Sequence, residues 1–168
     1  MFLLGNFGNC VNVDKVVFEM FEIDSPLIDI MWCGNTNEVI LVQTEKGTVY
    51  RSRDRGDSWK KLHSIMQKTG ESVIVDGTQE IGKVKKMMQS PVDDNLVIFT
   101  GTHGVNWVTE DCGANLRALN SGKRIHELQF HPRQRSWALA AGWTSCKDFE
   151  DDEPCEIYKE LYITKDLG

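Results

Sequence analysis

The chain is poor in the features that announce chemistry. Its five cysteines include no Cys-x-x-Cys pair and its four histidines are scattered, which argues against a zinc site. Positive charge is in the minority, 19 Lys and Arg against 25 Asp and Glu for a net charge of −6, which argues against a nucleic-acid surface. No run reaches the roughly 18 apolar residues of a membrane span. Residues 1–8, Met-Phe-Leu-Leu-Gly-Asn-Phe-Gly, lack the charged start and long apolar core of a signal peptide. There is no Asn-x-Ser/Thr sequon and no sustained helical period. Ser52 and Ser58 have no neighbouring His, which excludes a serine nucleophile. What remains is 168 residues, 40% apolar and 26% charged, the composition of one folded globular domain.

Against these absences stands a repeat. Residues 52–59 read Ser-Arg-Asp-Arg-Gly-Asp-Ser-Trp, residues 109–116 read Thr-Glu-Asp-Cys-Gly-Ala-Asn-Leu, and residues 164–168 read Thr-Lys-Asp-Leu-Gly. The shared core is hydroxyl, any, Asp, any, Gly: Ser52, Asp54, Gly56; Thr109, Asp111, Gly113; Thr164, Asp166, Gly168. The copies start 57 and 55 residues apart, and fixed-period self-similarity signals a repeat architecture. Only the first copy is complete, with Ser58 and Trp59 in its last places. That form is the Asp-box, a β-hairpin turn of several propeller families. Asp and hydroxyl side chains fix the turn through nearby amides, Gly56 takes a positive φ, and Trp59 offers a ring to wedge against a neighbour. The third copy reads as cut off in mid-repeat.

The register extends upstream of each box. Strand segments at 28–32, 39–42 and 48–52 precede the first, 84–88, 96–100 and 105–109 the second, and 125–130, 137–141 and 160–164 the third. They are short, apolar and separated by turn residues. The reading is all-β: a β-propeller fragment of about three blades, with blade units at about 28–59, 84–116 and 125–168 and an unassigned segment at 1–27. Outer strands are expected after the first box at 59–65 or 71–75, with little room after the second. Trp107, Trp137 and Trp143 read as blade packing, and His126 and His131 as strand and turn residues. Lys83, Lys85 and Lys86 read as a solvated strand edge, and the acidic cluster 147–153 as an exposed loop.

Cys146 and Cys155 flank the insertion 147–154. A disulfide there would pin this eight-residue excursion in an oxidising compartment; two free thiols in a cytosolic loop fit the residues equally. Cys10, Cys33 and Cys112 are odd in number, so at least one lacks a partner within the chain.

Several runs together resemble the sortilin-type receptors, the vacuolar protein sorting ten domain family. These are Lys86-Met87-Met88-Gln89-Ser90-Pro91 with Asn95-Leu96-Val97; His126-Glu127-Leu128-Gln129-Phe130-His131-Pro132 with Trp137-Ala138-Leu139-Ala140; Tyr50-Arg51-Ser52 before the first box; and Cys146 and Cys155 before Glu160-Leu161-Tyr162-Ile163-Thr164. The likeness covers roughly residues 27–168; residues 1–26 match nothing, and the second box departs from the pattern at Cys112 and at Asn115-Leu116. The resemblance implies a ten-bladed propeller, with the remaining blades, cysteine-rich modules, a membrane span and a sorting tail lying outside this chain. It implies a Cys146–Cys155 disulfide, a lumenal place in the secretory pathway between Golgi and endosome, vacuole or lysosome, and protein or peptide cargo met on inner strands near Met31, Met87 and Gln129. It implies no catalysis, cofactor, metal or nucleic acid.

Two other classes share the boxes. A sialidase-like glycoside hydrolase needs paired carboxylates or an arginine cluster at the propeller centre. Asp24, Asp29, Asp76 and Glu80 show no pairing in sequence, and Arg51, Arg53 and Arg55 alternate onto one outer face. A non-catalytic assembly scaffold has no need of the Cys146–Cys155 pair. Fold alone does not choose among them.

Overall fold

A computed structural model describes residues 20–68, 72–75, 78–119, 124–143 and 159–167. Apolar runs bounded by Gly, Asn and Asp turns form short antiparallel strands in up-and-down order. The first sheet is β1 (Leu27–Cys33), β2 (Val39–Thr44), β3 (Val49–Ser52) and β4 (Lys60–Lys61). A short helix, α1 (His63–Lys68), and a separate hairpin, β5 (Ser72–Val75) with β6 (Thr78–Ile81), follow it. The second sheet is β7 (Val84–Gln89), β8 (Val97–Gly101), β9 (Asn106–Thr109) and β10 (Arg117–Ala118); the third is β11 (Glu127–Phe130), β12 (Ala138–Trp143) and β13 (Lys159–Thr164).

The outer strands correct the sequence reading. Of 59–65 only Lys60–Lys61 is strand, and His63–Lys68 turns into helix. The space after the second box does hold a strand, because Arg117–Ala118 needs only two residues to pair with Val108 and Trp107.

The pleat repeats in register. Met31, Leu41 and Arg51 lie side by side across the first sheet, Met88, Ile98 and Val108 across the second, and Gln129, Leu139 and Ile163 across the third. Alternation sends the intervening residues to the opposite face. One core joins Cys33, Leu41 and Val49 to Met87, Phe99 and Trp107; a second joins Leu96, Ile98 and Val108 to Phe130, Ala138 and Leu167. The sheets therefore stack face to face as a propeller fragment, with Leu41 and Ile98 fully buried between them. Each such side chain contributes roughly 1.5–3 kcal/mol by burial.

Main-chain bonds seal the first joint. Gly34 N donates to Asp94 O at 2.9 Å and Val84 N to Gly47 O at 3.1 Å, and Gln43 Nε2 donates to Val84 O at 3.0 Å. Gly47 has φ +78°, and a Cβ there would lie 2.8 Å from both Lys83 Cβ and Val84 O. Only glycine permits the hairpin turn to approach so closely.

Candidate functional site: the box turns and the faces they frame

The three boxes share one backbone. Their fourth residues, Arg55, Cys112 and Leu167, have φ of +60°, +56° and +64°, and Gly56 and Gly113 follow at +110° and +79°. A non-glycine residue in the left-handed region needs support, and the hydroxyl and carboxylate supply it. In the first box Gly56 N donates to Ser52 Oγ at 2.8 Å, Ser52 Oγ to Asp54 Oδ1 at 2.8 Å and Ser58 N to Asp54 Oδ1 at 2.9 Å. In the second, Gly113 N donates to Thr109 Oγ1 and Thr109 Oγ1 to Asp111 Oδ1, both at 2.8 Å. Here Asn115 takes the place of Ser58: its main-chain N donates to Asp111 Oδ1 at 2.8 Å and its Nδ2 to Asp111 Oδ2 at 2.6 Å. In the third, Thr164 Oγ1 donates to Asp166 Oδ1 at 3.1 Å and accepts from Leu167 N at 2.9 Å. Gly168 lies outside the described residues.

These donors set the charges. The Ser58 hydroxyl, then its amide and the Ser52 hydroxyl, pull the Asp54 carboxyl down to about 2. Burial works to raise Asp111, but bonds from Asn115, Thr109 and Ala114 outweigh it and hold that carboxyl below its ordinary value. Both stay ionised to accept from the turn.

In the second and third units the fourth residue of the box is aimed at the preceding sheet. Leu167 is buried in the core between the second and third sheets. Cys112 is buried against the first sheet and forms a disulfide with Cys33, with Cα atoms 5.7 Å apart and a sequence separation of 79. Arg51 Nε donates to Cys112 O at 2.7 Å across the same joint. Among the described residues no sheet precedes the first, and Arg55 pairs with Glu38 at 2.8 Å on the surface. Neither the disulfide nor the role of Arg135 is legible in sequence; the odd count among Cys10, Cys33 and Cys112 is the one available signal. Arg135 ties the third sheet to the second through Asp93 Oδ2 at 2.5 Å and Glu110 Oε2 at 2.7 Å. Cys146 and Cys155 lie outside the described residues, as does the acidic cluster 147–153.

The segment before β1 is held over the first sheet. Asp24 accepts from Thr44 Oγ1 at 2.8 Å and Thr48 Oγ1 at 2.5 Å. Burial works to raise its carboxyl, but the hydroxyls of Thr48, Thr44 and Ser25, with Lys61, hold it below its ordinary value. Phe21 meets Tyr50 edge-on at 6.0 Å and lies 6.1 Å from Trp59. Ile23 and Trp59 pack on Ile40, Val42 and Tyr50. A cleft of about 610 Å³ opens there between Phe21, Leu27, Val42 and Trp59. Beyond it Ile28, Ile30 and Trp32 remain exposed, and on the third sheet Leu139, Leu161 and Ile163 do so.

Among the described residues the acids considered for catalysis stand apart from one another. Asp24 is committed to hydroxyls and Asp29 stands on β1; Asp76 is outside the described residues and Glu80 lies in β6. Lys86 pairs with Glu127 at 3.2 Å. Met87 is buried and Met31 packs beside it in the first core, so of the three inner-strand positions expected to meet a ligand only Gln129 is exposed. Trp107 is fully buried. Trp143 stacks on His126 at 3.9 Å, and Trp137 meets His131 edge-on at 5.6 Å. Among the described residues no three His, Cys, Asp or Glu side chains group to hold a metal ion, and no helix is long and apolar enough to cross a membrane.

Known proteins resemble this chain. The family model described as Sortilin, neurotensin receptor 3 (Sortilin-Vps10) matches residues 47–168. The vacuolar protein sorting/targeting protein 10 of Sordaria macrospora is 27% identical over 165 residues, covering 96% of this chain and 10% of that protein. Its counterpart in Paracoccidioides lutzii is 25% identical over 116 residues, covering 66% of this chain and 7% of the relative. In Talaromyces stipitatus it is 33% identical over 84 residues, 49% of this chain and 5% of the relative. The chain thus spans a tenth or less of the length of these relatives. Among solved structures, the GH74 xyloglucanase from Xanthomonas campestris superimposes with a TM-score of 0.50 at 14% identity, covering 81% of this chain and 20% of that one. At that identity the likeness is one of fold.

Proposed function

The chain belongs to the Sortilin-Vps10 family, and from that footing we propose that it is a lumenal, non-catalytic, cargo-binding segment of a sortilin-like sorting receptor. The observation that carries the reading is the family match across both later sheets and their boxes. In this reading the receptor moves protein or peptide cargo between Golgi and endosome, vacuole or lysosome. The remaining blades of a ten-bladed ring, the cysteine-rich modules and the membrane span are supplied by sequence outside this chain.

A covalent tie between the first two sheets supports a lumenal place, since disulfides persist in oxidising compartments and Cys33 and Cys112 are bonded. The box residues are assigned a structural role: Ser52, Asp54, Gly56, Ser58 and Trp59; Thr109, Asp111 and Gly113; Thr164, Asp166 and Gly168. A second disulfide, Cys146–Cys155, is proposed to pin the insertion of the third unit. The sialidase-like glycoside-hydrolase alternative is weakened by the box carboxylates and Asp24 being engaged in turns and hydroxyl bonds; the scaffold alternative is distinguished by the test below.

The test is to tag the full-length gene product, image it and recover the proteins bound to it. Golgi or endosomal membranes with secretory or lysosomal cargo attached are the expected result. Residence in the cytosol, or hydrolysis of a glycan by the complete propeller, overturns the reading.

A further inference from the structure

The turn that joins β11 to β12 is built like the one that joins β7 to β8, with one exchange. Ser90 N donates to Leu96 O at 2.9 Å and closes the earlier turn; His131 N donates to Trp137 O at 2.8 Å and closes the later one. Pro91 and Pro132 follow in each. Inside the earlier turn Val92 N donates to Ser90 Oγ at 3.3 Å. Inside the later one Arg133 N and Gln134 N both donate to His131 Nδ1, each at 3.1 Å. The same acceptor position is therefore filled by a hydroxyl in one sheet and an imidazole in the next. A hydroxyl accepts at any ordinary pH. An imidazole accepts at Nδ1 only while that nitrogen carries no proton, and imidazoles as a class change charge between about pH 5 and 8.

This turn carries the link between the sheets. Arg135 lies within it and binds Asp93 Oδ2 at 2.5 Å and Glu110 Oε2 at 2.7 Å on the second sheet. Burial works to raise the Asp93 carboxyl, but Arg135 and the Asn95 amide outweigh it and keep it below its ordinary value. Mild acid therefore leaves Arg135 its Asp93 partner. We propose that His131 makes the joint between the second and third sheets acid-sensitive: protonation at Nδ1 releases the amides of Arg133 and Gln134 and loosens the hold of Arg135 on Asp93 and Glu110.

The charges around the ring would repel an imidazolium once it formed. On its own turn stand Arg133 and Arg135. After β13 stand Lys165, whose Nζ lies 4.9 Å from the centre of the Trp137 ring that His131 also meets, and Asp166, which accepts from Thr164. On the facing sheet Asp93 and Glu110 are taken up by Arg135. An imidazolium meets mainly like charge there, and it has no lone pair left for the two amides. The two amide bonds contribute to the joint while Nδ1 carries no proton and are lost once it does.

Hydrogen exchange read by mass spectrometry on the 168-residue chain, at two buffers of about pH 7.4 and 5.5 that bracket the imidazole range and with intrinsic rates divided out, tests this. Protection across residues 131–137 should fall about tenfold or more at the lower pH, since each lost bond is worth roughly a factor of five. Protection across residues 90–96, where Ser90 fills the place, should hold. His131→Ser and His131→Asn each supply an acceptor that does not titrate, and both should keep residues 131–137 protected at both pH values. Equal wild-type protection at the two pH values overturns the proposal, as does an equal loss in either variant. If one variant fails to fold, the other variant and the wild-type contrast between the two turns decide the same question. The device concerns the stability of one joint and does not depend on what cargo the protein carries.

Discussion

At the scale of residues, the carboxylates of Asp54 and Asp111 each gather donors from the residue four places on, and only strong acid should loosen them. The Asp54 carboxyl is lowered to about 2. A lowered carboxylate stabilises the fold above its unfolded value and loses that contribution as pH falls through the folded one. The first box should therefore be intact above about pH 4 and weaken towards pH 2, with a carboxyl carbon NMR titration of Asp54 centred near the low end. Ser58→Ala should move that midpoint up. In the second box Asn115→Ala should cost about 1 kcal/mol for the lost side-chain bond to Asp111, while Asn115→Ser should recover most of it, as judged by urea midpoints. Gly113→Ala should cost about 1–2 kcal/mol, because the position has φ +79° and its Cβ would lie 3.0 Å from Leu62 Cδ1.

At the scale of elements, the disulfide between the end of β1 and the second box closes a loop across a sequence separation of 79. On the chain-entropy model that is worth about 4 kcal/mol. Cys33→Ala with Cys112→Ala, or reduction of the wild type, should lower the denaturation midpoint accordingly, and non-reduced peptide mapping should return the Cys33–Cys112 pair. The same map tests the proposed Cys146–Cys155 bond, whose short loop is worth roughly 2–3 kcal/mol. Both thiols free in protein from its native compartment would remove that bond and weaken the lumenal assignment. The joint between the second and third sheets lacks such a tie among the described residues. It relies on the Leu96, Ile98, Phe130 and Leu167 core and on the ion pairs of Arg135 and Lys86, so it should open at lower denaturant than the first.

At the scale of the whole molecule, the repeated rows show what each face is made for. Leu41 and Ile98 occupy the middle of their rows and are fully buried by the next sheet, whereas Leu139 in the same place is 47% exposed and Ile163 beside it 63%. Ile28, Ile30 and Trp32 leave the opposite end similarly open. Apolar faces of stacked repeats need a neighbour or a polar cap. The chain by itself should self-associate with rising concentration in sedimentation velocity, and Ile163→Lys or Leu139→Lys should reduce association while leaving the β-sheet circular dichroism unchanged. A monodisperse wild-type monomer at all concentrations would contradict this.

The order of strands, turns and boxes is legible because each depends on neighbours in sequence. Alternation of period two marks a strand wherever it sits, and a hydroxyl, Asp and Gly within five residues close a turn on their own amides. The expected strands at 39–42, 84–88 and 160–164 lie within Val39–Thr44, Val84–Gln89 and Lys159–Thr164 for that reason. The fourth box residue shows where such reading stops. Arg55, Cys112 and Leu167 read in sequence as one variable position, yet one pairs on the surface, one is bonded to the preceding sheet and one is core. Their fates depend on which sheet stands in front of them, and no local pattern encodes that. Pairing Cys33 with Cys112 needs the first two sheets stacked, since their sequence separation is 79. The link from Arg135 to Asp93 and Glu110 likewise exists only once the third sheet lies on the second. Short-range bonds between near neighbours write the repeat and its turns into the chain itself. Which faces, thiols and charges meet is settled in three dimensions, because those contacts form only when whole sheets pack.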